Sequence, residues 1–142
     1  MPNYWYDHVH LTAPDPLKTA EFYEKMFGAK RANVREMPDG RTIVELNLNS
    51  SRILVMPPRV NPAPTPHLPD TSYGLEHFGL VTDNIEAAVA ELKANGVKFR
   101  DEIRETRPGV KIAFMWAPEN VLIELVGKEA NSAEVLVKIK SS

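Results

Sequence analysis

One segment of this 142-residue chain occurs twice, and the repetition constrains the fold before any other property is consulted. Asp7-His8-Val9-His10-Leu11 returns as Glu76-His77-Phe78-Gly79-Leu80. After each copy comes an Asp suited to opening a helix, Asp15 ahead of Pro16-Leu17 and Asp83 ahead of Asn84-Ile85. Each helix then meets a glycine, Gly28 or Gly96, the residue type that ends a helix in the left-handed conformation. Leu17, Ala20, Tyr23 and Phe27 recur at helical spacing and predict a helix over 16–27, while Ile85, Ala88, Val89 and Leu92 predict one over 84–95.

Three strand-like runs follow each helix, at 30–37, 42–48 and 52–56, then at 97–103, 110–116 and 121–126. Pro38-Asp39-Gly40, Asn49-Ser50-Ser51, Arg107-Pro108-Gly109 and Pro118-Glu119-Asn120 mark the turns between them. The expected fold is α+β, a single domain of two tandem βαβββ modules whose sheets curl around a common cavity with both helices outside. Module 1 covers about 6–57 and module 2 about 74–127. Between them runs a connector, 58–73, whose prolines suit an extended and stiff segment. The tail, 128–142, contains Ala133-Glu134-Val135-Leu136-Val137, which fits a short helix or an added strand.

Charge and cysteine content narrow the function classes. The chain has 17 basic and 19 acidic residues spread along its length, so no patch marks it for nucleic acid or an anionic membrane. No run approaches a membrane span, and a cytoplasmic protein acting on a small molecule is expected. With no cysteine, any metal must be held by imidazole and carboxylate groups.

Strand alternation sorts the repeated segment into faces. Val9, Leu11 and Ala13 share the face suited to packing under the helix, leaving Tyr6, His8, His10 and Thr12 on the other. In the second copy Phe78 and Leu80 lie on the helix side, leaving His77, Gly79 and Val81 opposite. The last strand, Val121-Leu122-Ile123-Glu124-Leu125-Val126, is apolar on both faces except at Glu124, a carboxylate that would be costly to bury without a cation or strong donors. Around a shared hollow, His8, His77 and Glu124 can converge as a two-imidazole, one-carboxylate metal site with open positions. Satisfied core histidines are the competing reading.

These residues resemble the vicinal oxygen chelate superfamily, which includes glyoxalases, bleomycin-resistance proteins and dioxygenases. The resemblance rests on His8-x-x-Leu11, Pro14-Asp15, Ala20-x-Phe22-Tyr23-x-x-x-Phe27-Gly28, His77-x-x-Leu80 and Ala117-Pro118-Glu119-Asn120-Val121-Leu122-Ile123-Glu124-Leu125. It implies one divalent metal on His8, His77 and Glu124, with Fe(II) favoured and Mn, Ni, Co or Zn as alternatives, in a chain that forms a homodimer. Glyoxalase I and methylmalonyl-CoA epimerase resemble four-ligand enzymes, but Arg52-Ile53-Leu54-Val55-Met56 offers no fourth ligand. The three-ligand set is similar to that of ring-cleaving dioxygenases, although their His and Tyr pattern near the last strands is replaced by Lys111-Ile112-Ala113-Phe114-Met115-Trp116.

His10 is a candidate catalytic acid or base, or a side chain that merely satisfies a backbone carbonyl. Glu45 is a second candidate base, or an outward solvated side chain. Tyr6, Asn47, Phe114 and Trp116 are expected to line a pocket for a planar substrate, and the aromatic ones serve equally as ordinary core. His67 is expected to be exposed and away from the metal. The leading functional expectation is an Fe(II) dioxygenase on a catechol-like or 2-oxo acid substrate. A lyase or isomerase working through an enediolate, a thiol transferase similar to fosfomycin-resistance proteins, and a metal-free binding protein are the alternatives.

Overall fold

A computed structural model describes residues 1–59 and 64–128. The chain divides into two compact units, Met1–Pro64 and Thr65–Ser142. Unit 1 runs β1 (His8–Thr12), α1 (Pro16–Phe27), β2 (Lys30–Glu36), β3 (Thr42–Leu48) and β4 (Ser51–Met56). Unit 2 repeats the order as β5 (His77–Thr82), α2 (Ile85–Ala94), β6 (Phe99–Arg107), β7 (Val110–Ala117) and β8 (Val121–Lys128). Both are βαβββ modules. The expectation of a helix or strand at 133–137 lies outside the described residues.

Each unit forms a four-stranded sheet, ordered β1-β4-β3-β2 in one and β5-β8-β7-β6 in the other. The first strand pairs in parallel with the last of its own unit, and the remaining pairs are antiparallel. This follows from connectivity, since short turns allow antiparallel neighbours whereas a parallel pair needs a long crossover, which the helix begins.

Helix α1 starts at Asp15, whose side chain accepts from the Lys18 amide, and ends at Gly28 with φ +71°. The second helix corrects the sequence reading by one residue. Its cap is Asn84, whose side chain accepts from the Ala87 amide, and not Asp83. Asn84 stands seven residues after His77, just as Asp15 stands seven after His8.

Below sheet 1 the helix-facing residues Leu11, Val44, Leu46, Ile53 and Val55 are buried with Ala20 and Tyr23 of α1. In unit 2 the equivalent layer is Ala113, Met115, Ile123 and Leu125 against Ile85, Val89 and Leu92. Each large apolar side chain in these layers contributes about 1.5–3 kcal/mol on burial. Helix α2 approaches β8 so closely that a Cβ on Gly127 would fall 2.7 Å from Ile85 Cβ. Among the described residues, no helix is long and apolar enough to cross a membrane.

Candidate metal centre

In unit 2 the pairing register sets the site. Glu124 on β8 lies beside Gly79 on β5 and Phe114 on β7, and His77 pairs with Leu122. His77 and Glu124 therefore share the sheet face that points away from α2. The His77 Nε2 atom is 3.2 Å from Glu124 Oε2, and the two side chains are 29% and 24% exposed. Around them the face is apolar: Ile112, Phe114 and Leu122 are buried, with Trp116 and Val126 packed against them. Phe114 meets the His77 ring edge-on, with centroids 5.1 Å apart and planes at 87°. Gly79 adds no side chain beside the carboxylate; a Cβ there would stand 3.8 Å from Glu124 Oε2.

Behind Phe114 sits Arg100, its guanidinium 4.8 Å from the ring centroid. A register shift between Phe99 and Asp101 turns this residue out of the regular ladder, as bulges do. Arg100 also pairs with Asp70 at 3.0 Å and Asp101 at 2.9 Å.

The equivalent face of unit 1 is charged. His8 pairs with Arg52, His10 with Leu54, Glu45 with Leu54 and Asn47 with Arg52 across the sheet, so all six share one face. His8 Nδ1 is 2.6 Å from Asp7 Oδ2, which accepts from Arg52 at 2.8 Å. Arg52 donates in turn to Glu45 Oε1 through Nε at 2.9 Å and Nη2 at 2.8 Å. Glu45 Oε2 has a longer contact of 3.7 Å with Arg35. The hydrogen bond with His8 is the main reason the Asp7 carboxyl is held below the usual carboxylate range, with Arg52 adding to it. His10 is held below the ordinary imidazole value, first by partial desolvation and then by the positive charges of His8, Arg59 and Arg41.

The structure thus brings His77 and Glu124 together in unit 2, and gathers His8, His10, Glu45 and Asn47 on one face of unit 1. Among the described residues no group of three or more His, Asp or Glu side chains is assembled as a ready ligand set. Tyr6 lies ahead of β1 and is 67% exposed. His67, expected to be exposed, is half-buried, and its Nε2 donates to the Glu76 carbonyl at 3.2 Å. An imidazole nitrogen and a carboxylate oxygen on an otherwise apolar strand face are a donor pair that fits a borderline divalent metal.

Residues 5–125 match the family described as the Glyoxalase/Bleomycin resistance protein/Dioxygenase superfamily, and the chain belongs to it. It is 27% identical to the mitochondrial methylmalonyl-CoA epimerase of Homo sapiens over 84% of this chain and 71% of that protein. A glyoxalase family protein from Bacillus cereus has the same fold, with a TM-score of 0.75 at 16% identity, covering 87% of this chain and 93% of that one. So does a mutant of the fosfomycin resistance protein FosX from Listeria monocytogenes complexed with Mn(II), with a TM-score of 0.68 at 18% identity and coverage of 94% and 97%. The expectation of an Fe(II) dioxygenase finds no support among these relatives.

Asp7, Arg52, Glu76 and Arg100 were not among the sequence candidates. A signal existed for two of them, because an acidic residue precedes the histidine in both copies of the repeat. Arg52 and Arg100 become visible only once strand register and the β6 bulge are known.

Proposed function

We propose that this chain is a divalent-metal-dependent isomerase or lyase that moves a proton on a small oxygen-bearing metabolite. The observation that carries this reading is the His77 and Glu124 pair, half-buried 3.2 Å apart on an apolar face, in a chain similar to methylmalonyl-CoA epimerase. His77 and Glu124 would hold the metal with His8, supplied by module 1 of the same chain or of a second copy in a homodimer. Once bound, a metal with open positions would draw electron density from a substrate oxygen and stabilise the charge that develops there.

The chain's own residues divide the remaining work. His10 has no hydrogen-bond partner among the described residues, so its imidazole is free to take or return a proton. Glu45 Oε1 is committed to Arg52 and Oε2 has only the longer 3.7 Å contact with Arg35, so Oε2 is the atom that would act as a second base. Phe114, Trp116, Asn47 and Tyr6 would line the substrate pocket and keep water from the reacting carbon. Leu54 occupies the register position in module 1 that Glu124 holds in module 2, which leaves module 1 without a carboxylate ligand there.

The test uses protein loaded with Mn(II), Co(II), Ni(II), Zn(II) or anaerobic Fe(II). Incubation in deuterated water with a panel of 2-methyl and 2-hydroxy acyl compounds, methylmalonyl-CoA included, should place deuterium at the carbon next to a carbonyl of at least one member. Oxygen consumption with catechols or 2-oxo acids by the iron form, without deuterium exchange by any form, would replace this reading with the dioxygenase one.

A further inference from the structure

Each of the two histidines assigned to the metal has a carboxylate partner on its other nitrogen, and in both modules that partner is the preceding residue. His8 Nδ1 lies 2.6 Å from Asp7 Oδ2, and His77 Nδ1 lies 3.3 Å from Glu76 Oε1. Neighbouring residues inside a strand point to opposite faces and do not meet. The contact forms here because β1 begins at His8 and β5 at His77, so Asp7 and Glu76 stand just outside the ladder and can turn back. Two modules with different residues on the rest of this face keep the same arrangement.

We infer that Asp7 and Glu76 are positioning residues for the candidate metal histidines, each fixing the ring so that Nε2 is left to bind the ion. A neutral imidazole carries its proton on one nitrogen only, and a carboxylate beside Nδ1 selects the form whose Nε2 lone pair is free. In unit 2 that nitrogen already faces Glu124. The two partners differ in support. Asp7 is clamped by Arg52 at 2.8 Å, whereas the residue in the Arg52 position of module 2 is Leu122, and Glu76 has a longer contact of 3.3 Å with no cation paired to it among the described residues. Asp7 therefore matters more than Glu76. The inference rests on the metal reading proposed above, and its test separates the two.

Cobalt(II) chloride is titrated into the full chain and into Asp7→Ala, Asp7→Glu and Glu76→Ala, with circular dichroism to compare folding. In parallel, two-bond proton to nitrogen-15 correlation spectra of the metal-free proteins, taken where the imidazoles are neutral, read which ring nitrogen carries the proton. Both carboxylates are exposed, 66% for Asp7 and 42% for Glu76, so the fold should survive. Asp7→Asn, which preserves size, serves as a further variant if alanine perturbs folding. Asp7→Ala should weaken cobalt binding by about 10–100-fold, in the range known for such outer partners. It should also move the His8 proton toward Nε2, with Asp7→Glu restoring part of both effects and Glu76→Ala showing a smaller loss. Wild-type affinity and an unchanged proton position in Asp7→Ala overturn this inference while the metal reading stands. A wild-type chain that binds neither cobalt nor manganese overturns the metal reading, and this inference with it.

Discussion

The two modules share a backbone plan and differ in what they mount on the sheet face away from the helix. Position by position in the register, Arg52 of module 1 becomes Leu122 in module 2, Leu54 becomes Glu124, Glu45 becomes Phe114, and Asn47 becomes Trp116. His10 becomes Gly79, and only His8 and His77 are alike. Module 1 places its carboxylates among arginines, so its charges are compensated internally. In module 2 Asp101 is paired with Arg100, whereas Glu124 stands among Ile112, Phe114 and Leu122 with the His77 imidazole as its near partner. An anion in such surroundings gains more from a cation than one already paired. The duplicated fold thus supplies the geometry twice, and the side chains give the two copies different chemistry.

The difference can be broken most directly at the metal. Glu124→Leu, which gives module 2 the residue module 1 has at that register, should abolish stoichiometric metal binding, a loss beyond the ~100-fold reached by outer-shell changes. His77→Ala and His8→Ala should do the same with the fold retained. Full metal occupancy by elemental analysis in any of the three would defeat the ligand assignment.

The next effect is on stability. Leu122 is fully buried, so Leu122→Arg, which copies module 1, would bury a guanidinium without a partner and should cost about 3–5 kcal/mol by urea denaturation. The reverse change, Arg52→Leu, should cost less, because Arg52 is 37% exposed and Glu45 keeps its contact with Arg35. Gly127→Ala would force a methyl group into Ile85, 2.7 Å away, and should destabilise by about 1–3 kcal/mol.

A smaller effect has the opposite sign. Tyr23 is fully buried on α1, and its hydroxyl has no hydrogen-bond partner among the described residues. The corresponding residue of α2 is Leu92, eight residues past the cap Asn84 as Tyr23 is eight past the cap Asp15. Tyr23→Phe should stabilise by about 1 kcal/mol, seen as a higher Tm. Least of all, Glu119 holds φ +65° in the turn before β8, where module 1 has Asn49 at φ +55°. Glu119→Asn should gain on the order of 0.5 kcal/mol, since Asn tolerates the left-handed region better.

What could be read from the sequence was whatever local chemistry controls. Helix α1 spans the expected residues because Asp15, Pro16 and Gly28 punctuate it directly. Strand β6 was expected to end near 103 but runs to Arg107, because Arg104-Glu105-Thr106-Arg107 has no apolar alternation and is held as strand by pairing with β7. At the site, the repeat exposed both histidines, and the apolar run made Glu124 conspicuous. The Asp7, Arg52 and Glu45 chain stayed hidden because residues 45 apart in sequence meet only through strand register.

The parallel pairing of each module's first and last strands bears on how the chain is made. When β1 leaves the ribosome its backbone has no strand to join, because β4 lies about forty residues downstream and takes roughly 2–8 s to follow at ordinary synthesis rates. The same wait recurs for β5 and β8. Through each interval a strand bearing a histidine of the candidate centre stands with open amide and carbonyl groups, so each module can close only when its last strand arrives, and the growing polypeptide passes through two separate windows of vulnerability to mispairing.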